Sequence, residues 1–261
     1  MSTEAAMSRR QLLAAAAGAP LASVAGTAVP GSRAGQTTFV LVHGAWHGGW
    51  CWRKLVPLLR ANGHEVLAPT LTGLGERSHL LAADIDLETH IDDVVATLEC
   101  EDLESVTLVG HSYGGMVITG VAGRVASRVS HMIYLDAFFP DEGKALSDYA
   151  PVPPTRADGW RVPPPGTPSS WGVTNAQDIA WMERRVGDQP VRTFTQPVRQ
   201  SAAAIPVSRQ AFIQCTRAPF FAEAAERARR RGLRSHELFS GGHDSMITEP
   251  ARLAEILVSL V

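Results

Sequence analysis

Three widely separated residues in this chain have the types and surroundings to act together as an activated nucleophile. The segment Gly110-His111-Ser112-Tyr113-Gly114 fits G-x-S-x-G; it follows the β-rich run starting at Val106 and precedes Met116-Val117-Ile118, which reads as a packed helix. In such a strand-turn-helix the serine sits on a sharp, strained turn, and the flanking glycines are needed where a Cβ would collide with neighbouring backbone. The turn lifts the Ser112 hydroxyl clear of the sheet and sets it at a helix N-terminus, where backbone N–H groups can stabilise a developing oxyanion. A serine hydroxyl is a poor nucleophile near neutral pH and needs a base, with a third group fixing the base's tautomer and stabilising the imidazolium that forms. His243 fits as the base: it lies in the glycine loop Ser240-Gly-Gly-His-Asp244, after the last strand and before the final helix, in the order serine, acid, histidine.

The acid has five candidates in or near loops: Asp136, Asp141, Glu142, Glu223 and Asp244. Asp244 adjoins the histidine and would have difficulty turning back to its ring, while Asp141 and Glu142 lie further along their loop and are more naturally solvated. Asp136 closes the strand after the nucleophile's, so it can reach the same edge as Ser112 and His243. A carboxylate at the end of an apolar strand also needs a partner, because burying it alone is costly. Asp136 is therefore preferred.

These residues need a scaffold that brings strand ends together. Thr38–Val42, Glu65–Ala68, the run ending at Gly110, His131–Asp136, Gln210–Cys215 and His236–Phe239 read as strands. Between them, Trp52–Asn62, a helix capped by Asp86 and carrying Leu87, Ile91, Val94 and Leu98, the segment after Ser112, Phe221–Arg231 and the stretch from Pro250 read as helices. The alternation predicts a mostly parallel sheet covered on both faces. The first strand runs into His43-Gly44-Ala45-Trp46-His47 at the carboxyl edge, where such sheets place ligand contacts. The backbone N–H groups of Ala45 and Tyr113 are then the oxyanion donors, and His43 and His47 are read as structural. Residues 140–206 break the alternation. They are rich in proline and contain Trp160, Trp171 and Trp181, which with Trp46 are candidates for an apolar pocket beneath a lid, or for the insertion's own small core.

At 261 residues the chain is long enough for one α/β domain. A formal charge of −2, with no basic run interleaved with aromatics, excludes a nucleic-acid groove. Cys51, Cys100 and Cys215 lack metal or disulfide spacing and read as free thiols, and no metal or cofactor site is expected. Residues 1–30, with Ser8-Arg9-Arg10-Gln11-Leu12-Leu13 before an alanine- and glycine-rich stretch, resemble a twin-arginine export signal. An exported protein starting between Gly26 and Ala34 is expected, with no membrane anchor once the signal is removed. The organisation read from sequence is thus signal 1–30, core 31–139 and 207–261, and lid 140–206. Oligomeric state is not encoded in these motifs.

From about Thr38 to its end the chain resembles the α/β-hydrolase superfamily. Phe39–Trp50 and Gly110–Gly114 resemble the branch of plant methylesterases, hydroxynitrile lyases and bacterial carboxylesterases and pyrethroid hydrolases. The resemblance implies the α/β-hydrolase fold, Ser112 as nucleophile, His243 as base, oxyanion donors at Ala45 and Tyr113, and hydrolysis of a small to medium hydrophobic ester through an acyl-enzyme. It also exposes a departure. The plant enzymes carry their acid after the penultimate strand, where this chain has Cys215-Thr-Arg-Ala218-Pro219, and that vacancy strengthens Asp136. Lyase relatives resemble a pattern with threonine at the Ala45 position and lysine after the histidine; Ala45 and Asp244 disfavour that chemistry. A non-catalytic ligand-binding role on the same scaffold is opposed by an intact Ser112 and His243.

Overall fold

The side chains of each central strand alternate between two apolar cores, and that alternation builds the layers. Val40, Val42, Leu108 and Tyr134 point into one core, and Phe39, Leu41, Val109 and Ile133 into the other, as the two-residue period of a strand requires. Strands with both faces buried read as continuous apolar runs, which is how parallel sheets under helices appear in sequence.

The computed structural model describes residues 35–261 apart from 218 and 239, so the twin-arginine segment lies outside the described residues. The strands are β1 (Thr38–Val42), β2 (Glu65–Leu67), β3 (Val106–His111), β4 (Val129–Leu135), β5 (Arg161–Val162), β6 (Gln189–Pro190), β7 (Gln210–Cys215) and β8 (Arg234–Leu238). The helices are α1 (Val56–Ala61), α2 (Leu87–Cys100), α3 (Gly114–Val125), α4 (Ala176–Glu183), α5 (Arg192–Thr195), α6 (Ala222–Arg230), α7 (Ser245–Thr248) and α8 (Pro250–Ser259). Six strands form one sheet in the order β2-β1-β3-β4-β7-β8, every pair parallel. Helices α2, α3 and α6 contribute to the first core, α1 and α8 to the second. This is an α/β-hydrolase fold.

Local chemistry sets the helix limits. Asp86 accepts a hydrogen bond from the Thr89 N–H at 3.1 Å and starts α2 in a capping box, an arrangement worth about 1 kcal/mol. The helix expected over 52–62 is instead a 3-10 turn, Gly49–Trp52, followed by α1 from Val56. Pro57 sits in the first turn of α1, where a missing N–H costs nothing. The segment between β4 and β7 carries the short antiparallel pair β5–β6 with α4 and α5, a lid-like insertion beside the parallel sheet. Among the described residues no helix is long and apolar enough to cross a membrane.

Candidate active site

The turn between β3 and α3 is held by close backbone approach. A Cβ on Gly110 would lie 2.6 Å from the Gly114 carbonyl oxygen, and one on Gly114 would lie 2.5 Å from that of Val42. Only glycine fits at either place. Ser112 has φ 54°, a left-handed conformation that costs a non-glycine residue about 1 kcal/mol or more and persists only where the surroundings fix it. Here its N–H donates to the Leu135 carbonyl at 3.3 Å, and its own carbonyl accepts from Gly115 at 3.1 Å and Phe138 at 3.0 Å.

Asp136 follows β4 with φ 43° and is fully buried. Its N–H donates to the Ile213 carbonyl at 2.7 Å, which fastens the end of β4 to β7. Its carboxylate accepts from the Cys215 N–H at 3.1 Å and from His243 Nδ1 at 2.7 Å. Burial pushes the Asp136 carboxyl above its ordinary value, against the lowering effect of those two donors. Because a carboxylate only accepts, neutral His243 carries its proton on Nδ1 and keeps the Nε2 lone pair. The end of β7 thus supplies a backbone donor to an acid carried by β4.

His43, Ala45 and Trp46 form the facing loop. The Leu71 N–H donates to His43 Nε2 at 3.1 Å, so Nδ1 holds the proton and donates to the Gly44 carbonyl at 2.8 Å. Burial drives the His43 pKa down to about 3, so His43 is a neutral brace. A Cβ on Gly44 would lie 2.9 Å from the Ser112 Cβ, so a glycine there lets the loop reach the serine. Among the described residues no hydrogen bond takes up the N–H of Ala45 or Tyr113, and both residues line one cavity with Ser112 and His243.

That cavity has a volume of about 810 Å³. Of the four tryptophans expected in a pocket, Trp46 and Trp171 line it, stacked 6.4 Å apart. Trp160 and Trp181 are not among its lining residues. Trp181 packs edge-on against Trp50 at 5.1 Å with Arg185 over its ring, and Trp160 sits beside β5 under the Arg161 guanidinium. Each satisfies its apolar surface locally. Phe138, Tyr149, Phe194, Phe220 and Phe221 extend the aromatic wall; Phe221 stacks on His243 at 5.3 Å. The pair Phe220-Phe221 carries no motif, but its place soon after β7, at the carboxyl edge, is a usable signal.

Among the described residues, His243 Nδ1 is bonded to none of the other candidate acids. Asp141 pairs with Arg231, Glu142 accepts from the Ser201 N–H, and Glu223, exposed on α6, lines the cavity without a bond to the His243 ring. Asp244 does turn away from the His243 ring, but it is not solvated: it is fully buried, 3.5 Å from His47 Nε2 and 3.8 Å from His111 Nε2. Sequence reasoning gave neither His47 nor Asp244 a partner.

A family model described as "Alpha/beta hydrolase family" matches residues 39–256. A carbendazim hydrolyzing esterase of Nocardioides sp. (strain SG-4G) is 39% identical over 245 residues, covering 86% of this chain and 100% of that protein. Methylesterase 2 of Arabidopsis thaliana is 38% identical over 105 residues, 40% of each chain. Among solved structures, an extracellular α/β-hydrolase from a Paenibacillus species superposes with a TM-score of 0.71 at 23% identity, covering 86% of this chain and 98% of that one. That last likeness is one of fold.

Proposed function

The chain belongs to the α/β-hydrolase family, and from that premise we propose that it is a serine carboxylic-ester hydrolase acting through an acyl-Ser112 intermediate on a small to medium, largely apolar ester. The observation that carries this reading is the 2.7 Å contact between His243 Nδ1 and the buried Asp136 Oδ2, with His243 and Ser112 together on the wall of one cavity. Ser112 Oγ attacks the ester carbonyl carbon while His243 Nε2 takes its proton, and Asp136 stabilises the imidazolium. The oxyanion accepts from the N–H groups of Ala45 and Tyr113. Collapse expels the alcohol with the proton from His243; water, deprotonated in turn by His243, releases the acid and restores the serine.

The aromatic wall favours an apolar acyl or alcohol group, and the volume suits a ligand of drug size. Residues 140–206 serve as the lid and supply Trp171 and Phe194 to that wall. Hydrolysis of a chromogenic short-chain ester tests the reading: Ser112→Ala should lower kcat by at least about three orders of magnitude, and equal rates for the two proteins would remove it. Carbendazim, named for the Nocardioides relative, belongs in the substrate panel with esters varied on the acyl and alcohol sides.

Export by the twin-arginine route is part of the same proposal. Replacing Arg9 and Arg10 together by lysine should leave the protein in the cytoplasm of a host that exports the wild type. Equal export of both forms would argue against it.

A further inference from the structure

Behind His243 lies a second set of buried ionisable side chains that the proposed mechanism leaves unused. His47 Nδ1 is 2.7 Å from the Ala45 carbonyl oxygen, and its Nε2 is 3.5 Å from Asp244 Oδ1. A carbonyl and an ionised carboxylate offer only acceptors, so with Asp244 ionised each nitrogen of His47 carries a proton of its own. Asp244 follows His243 in the chain, and its Oδ1 is also 3.8 Å from Nε2 of His111, the neighbour of Ser112. That Nε2 donates to the His243 carbonyl at 3.0 Å, which makes His111 the neutral Nε2–H tautomer. Three loops therefore meet here: the oxyanion loop through His47, the nucleophile turn through His111, and the histidine loop through Asp244.

We infer that His47 and Asp244 are a buried imidazolium-carboxylate pair that positions the oxyanion loop against the loop carrying His243. The inference rests on the catalytic reading above for its kinetic consequences and on geometry for the pair itself. At 3.5 Å the contact is long for a hydrogen bond, and neither carboxylate oxygen has another donor among the described residues. Attraction between charges must then offset the cost of burial. Burial disfavours the cation at His47, yet Asp244 and the Ala45 carbonyl raise its pKa above the ordinary value. Burial likewise opposes the Asp244 carboxylate, yet His47 beside it holds it below the usual range.

The other ionisable groups around the pair are accounted for. His43 faces His47 and is neutral. His111 is held well below the ordinary histidine value by burial and by His243. The Cys51 and Cys215 thiols, both facing Asp244, are pushed up by burial and stay protonated. Asp136 also senses Asp244 and is the one other buried carboxylate in this set. A neutral pair spares Asp136 and His243 an uncompensated charge nearby. His47 is roofed by the rings of Trp50 and Trp171, each 5.2 Å away, which keeps the pair from water.

The wild-type protein supplies the first test. With imidazole nitrogens labelled, NMR at a pH about one to two units above the ordinary histidine pKa should show one of the nine histidines with both ring nitrogens protonated, and His47→Gln should remove that signal. A singly protonated His47 under those conditions overturns the inference, whether or not the protein hydrolyses esters. The second test is kinetic. His47→Gln leaves a lone buried carboxylate beside the proposed base, favouring its protonated form, so the acidic limb of kcat/KM should move up by roughly one pH unit. Misplacing the loop should also lower kcat/KM roughly tenfold to a hundredfold. Adding Asp244→Asn removes that carboxylate and should bring the limb back. A merely structural role would lower activity in all variants without moving the limb, and that result overturns the inference. If no ester is hydrolysed even by wild type, the functional proposal fails while the NMR result still decides the pair.

Discussion

Ser112, Asp136 and Trp46 share a property that sequence does not print: φ values of 54°, 43° and 65°. Three of the five non-glycine residues with positive φ among the described residues are thus at this cavity or bonded to a residue that lines it. Strain of this kind collects where geometry is fixed for a purpose. At Asp136 the bends are held by donors from two other segments, the Cys215 N–H and His243 Nδ1. Asp136→Asn keeps the shape but favours the wrong imidazole tautomer, so kcat should fall by about three to four orders of magnitude with KM little changed. Glu142→Gln, whose exposed side chain accepts from the Ser201 N–H away from the cavity, should keep wild-type kcat. Steady-state kinetics on both variants checks the assignment, and comparable losses from the two would defeat it.

At the scale of elements, β3, β4 and α3 meet more closely than side chains allow. A Cβ on Gly115 would lie 2.0 Å from the Phe138 carbonyl oxygen, and the Phe138 N–H already holds the Ser112 carbonyl. Backbone on that side leaves no flexible neighbour to yield. Gly115→Ala should therefore destabilise the fold by about 1–3 kcal/mol, as overpacking does, and lower activity by shifting Ser112. Gly187 has no atom within 4 Å of a built Cβ and no positive φ, so Gly187→Ala should stay within about 0.5 kcal/mol of wild type. Urea unfolding of the two proteins separates a crowding effect from a general intolerance of alanine. The glycines of the turn were legible in sequence because they stand at fixed spacing around Ser112 in G-x-S-x-G. Gly44 was not, because the crowding comes from Ser112 and His111 across the sheet.

Across the whole molecule, buried neutral histidines set the response to acid. Burial lowers His43 to about 3 and His90 to about 4, and takes His111 well below its ordinary value. His90 donates from Nε2 to the Thr72 carbonyl and bonds the Tyr113 hydroxyl through Nδ1, both at 2.9 Å, so its neutral form is fully partnered in the fold. In the unfolded chain these rings protonate near 6.5, so below that pH the unfolded state binds protons that the folded state refuses. Each ring then removes about 1.4 kcal/mol of stability per pH unit, down to its folded pKa. His47 has the opposite sign. Its raised folded pKa contributes stability that is complete below the unfolded value and lost as pH rises through the folded one. Melting temperature should consequently drop steeply between about pH 6 and 5, above the carboxylate range. A flat melting temperature down to about pH 4.5 would contradict this reading.

The sequence by itself determined what short-range sterics and periodicity control. The parallel strands, the Asp86 cap, the glycine-flanked turn at Ser112 and the loop position of His243 all follow from a few neighbouring residues. The preference for Asp136 came from the cost of an unpartnered carboxylate at an apolar strand end, an argument that needs no coordinates. Tertiary structure decided everything that depends on which distant surfaces meet. Trp46 and Trp171 face the cavity whereas Trp160 and Trp181 do not, because the fold of a proline-rich insertion is set by its contacts and not by a repeating pattern. The meeting of His47 with Asp244 is of the same kind. Neither residue carries a local signature of the other, and only the convergence of strand ends at one edge of the sheet brings a base from the first loop to a carboxylate from the last.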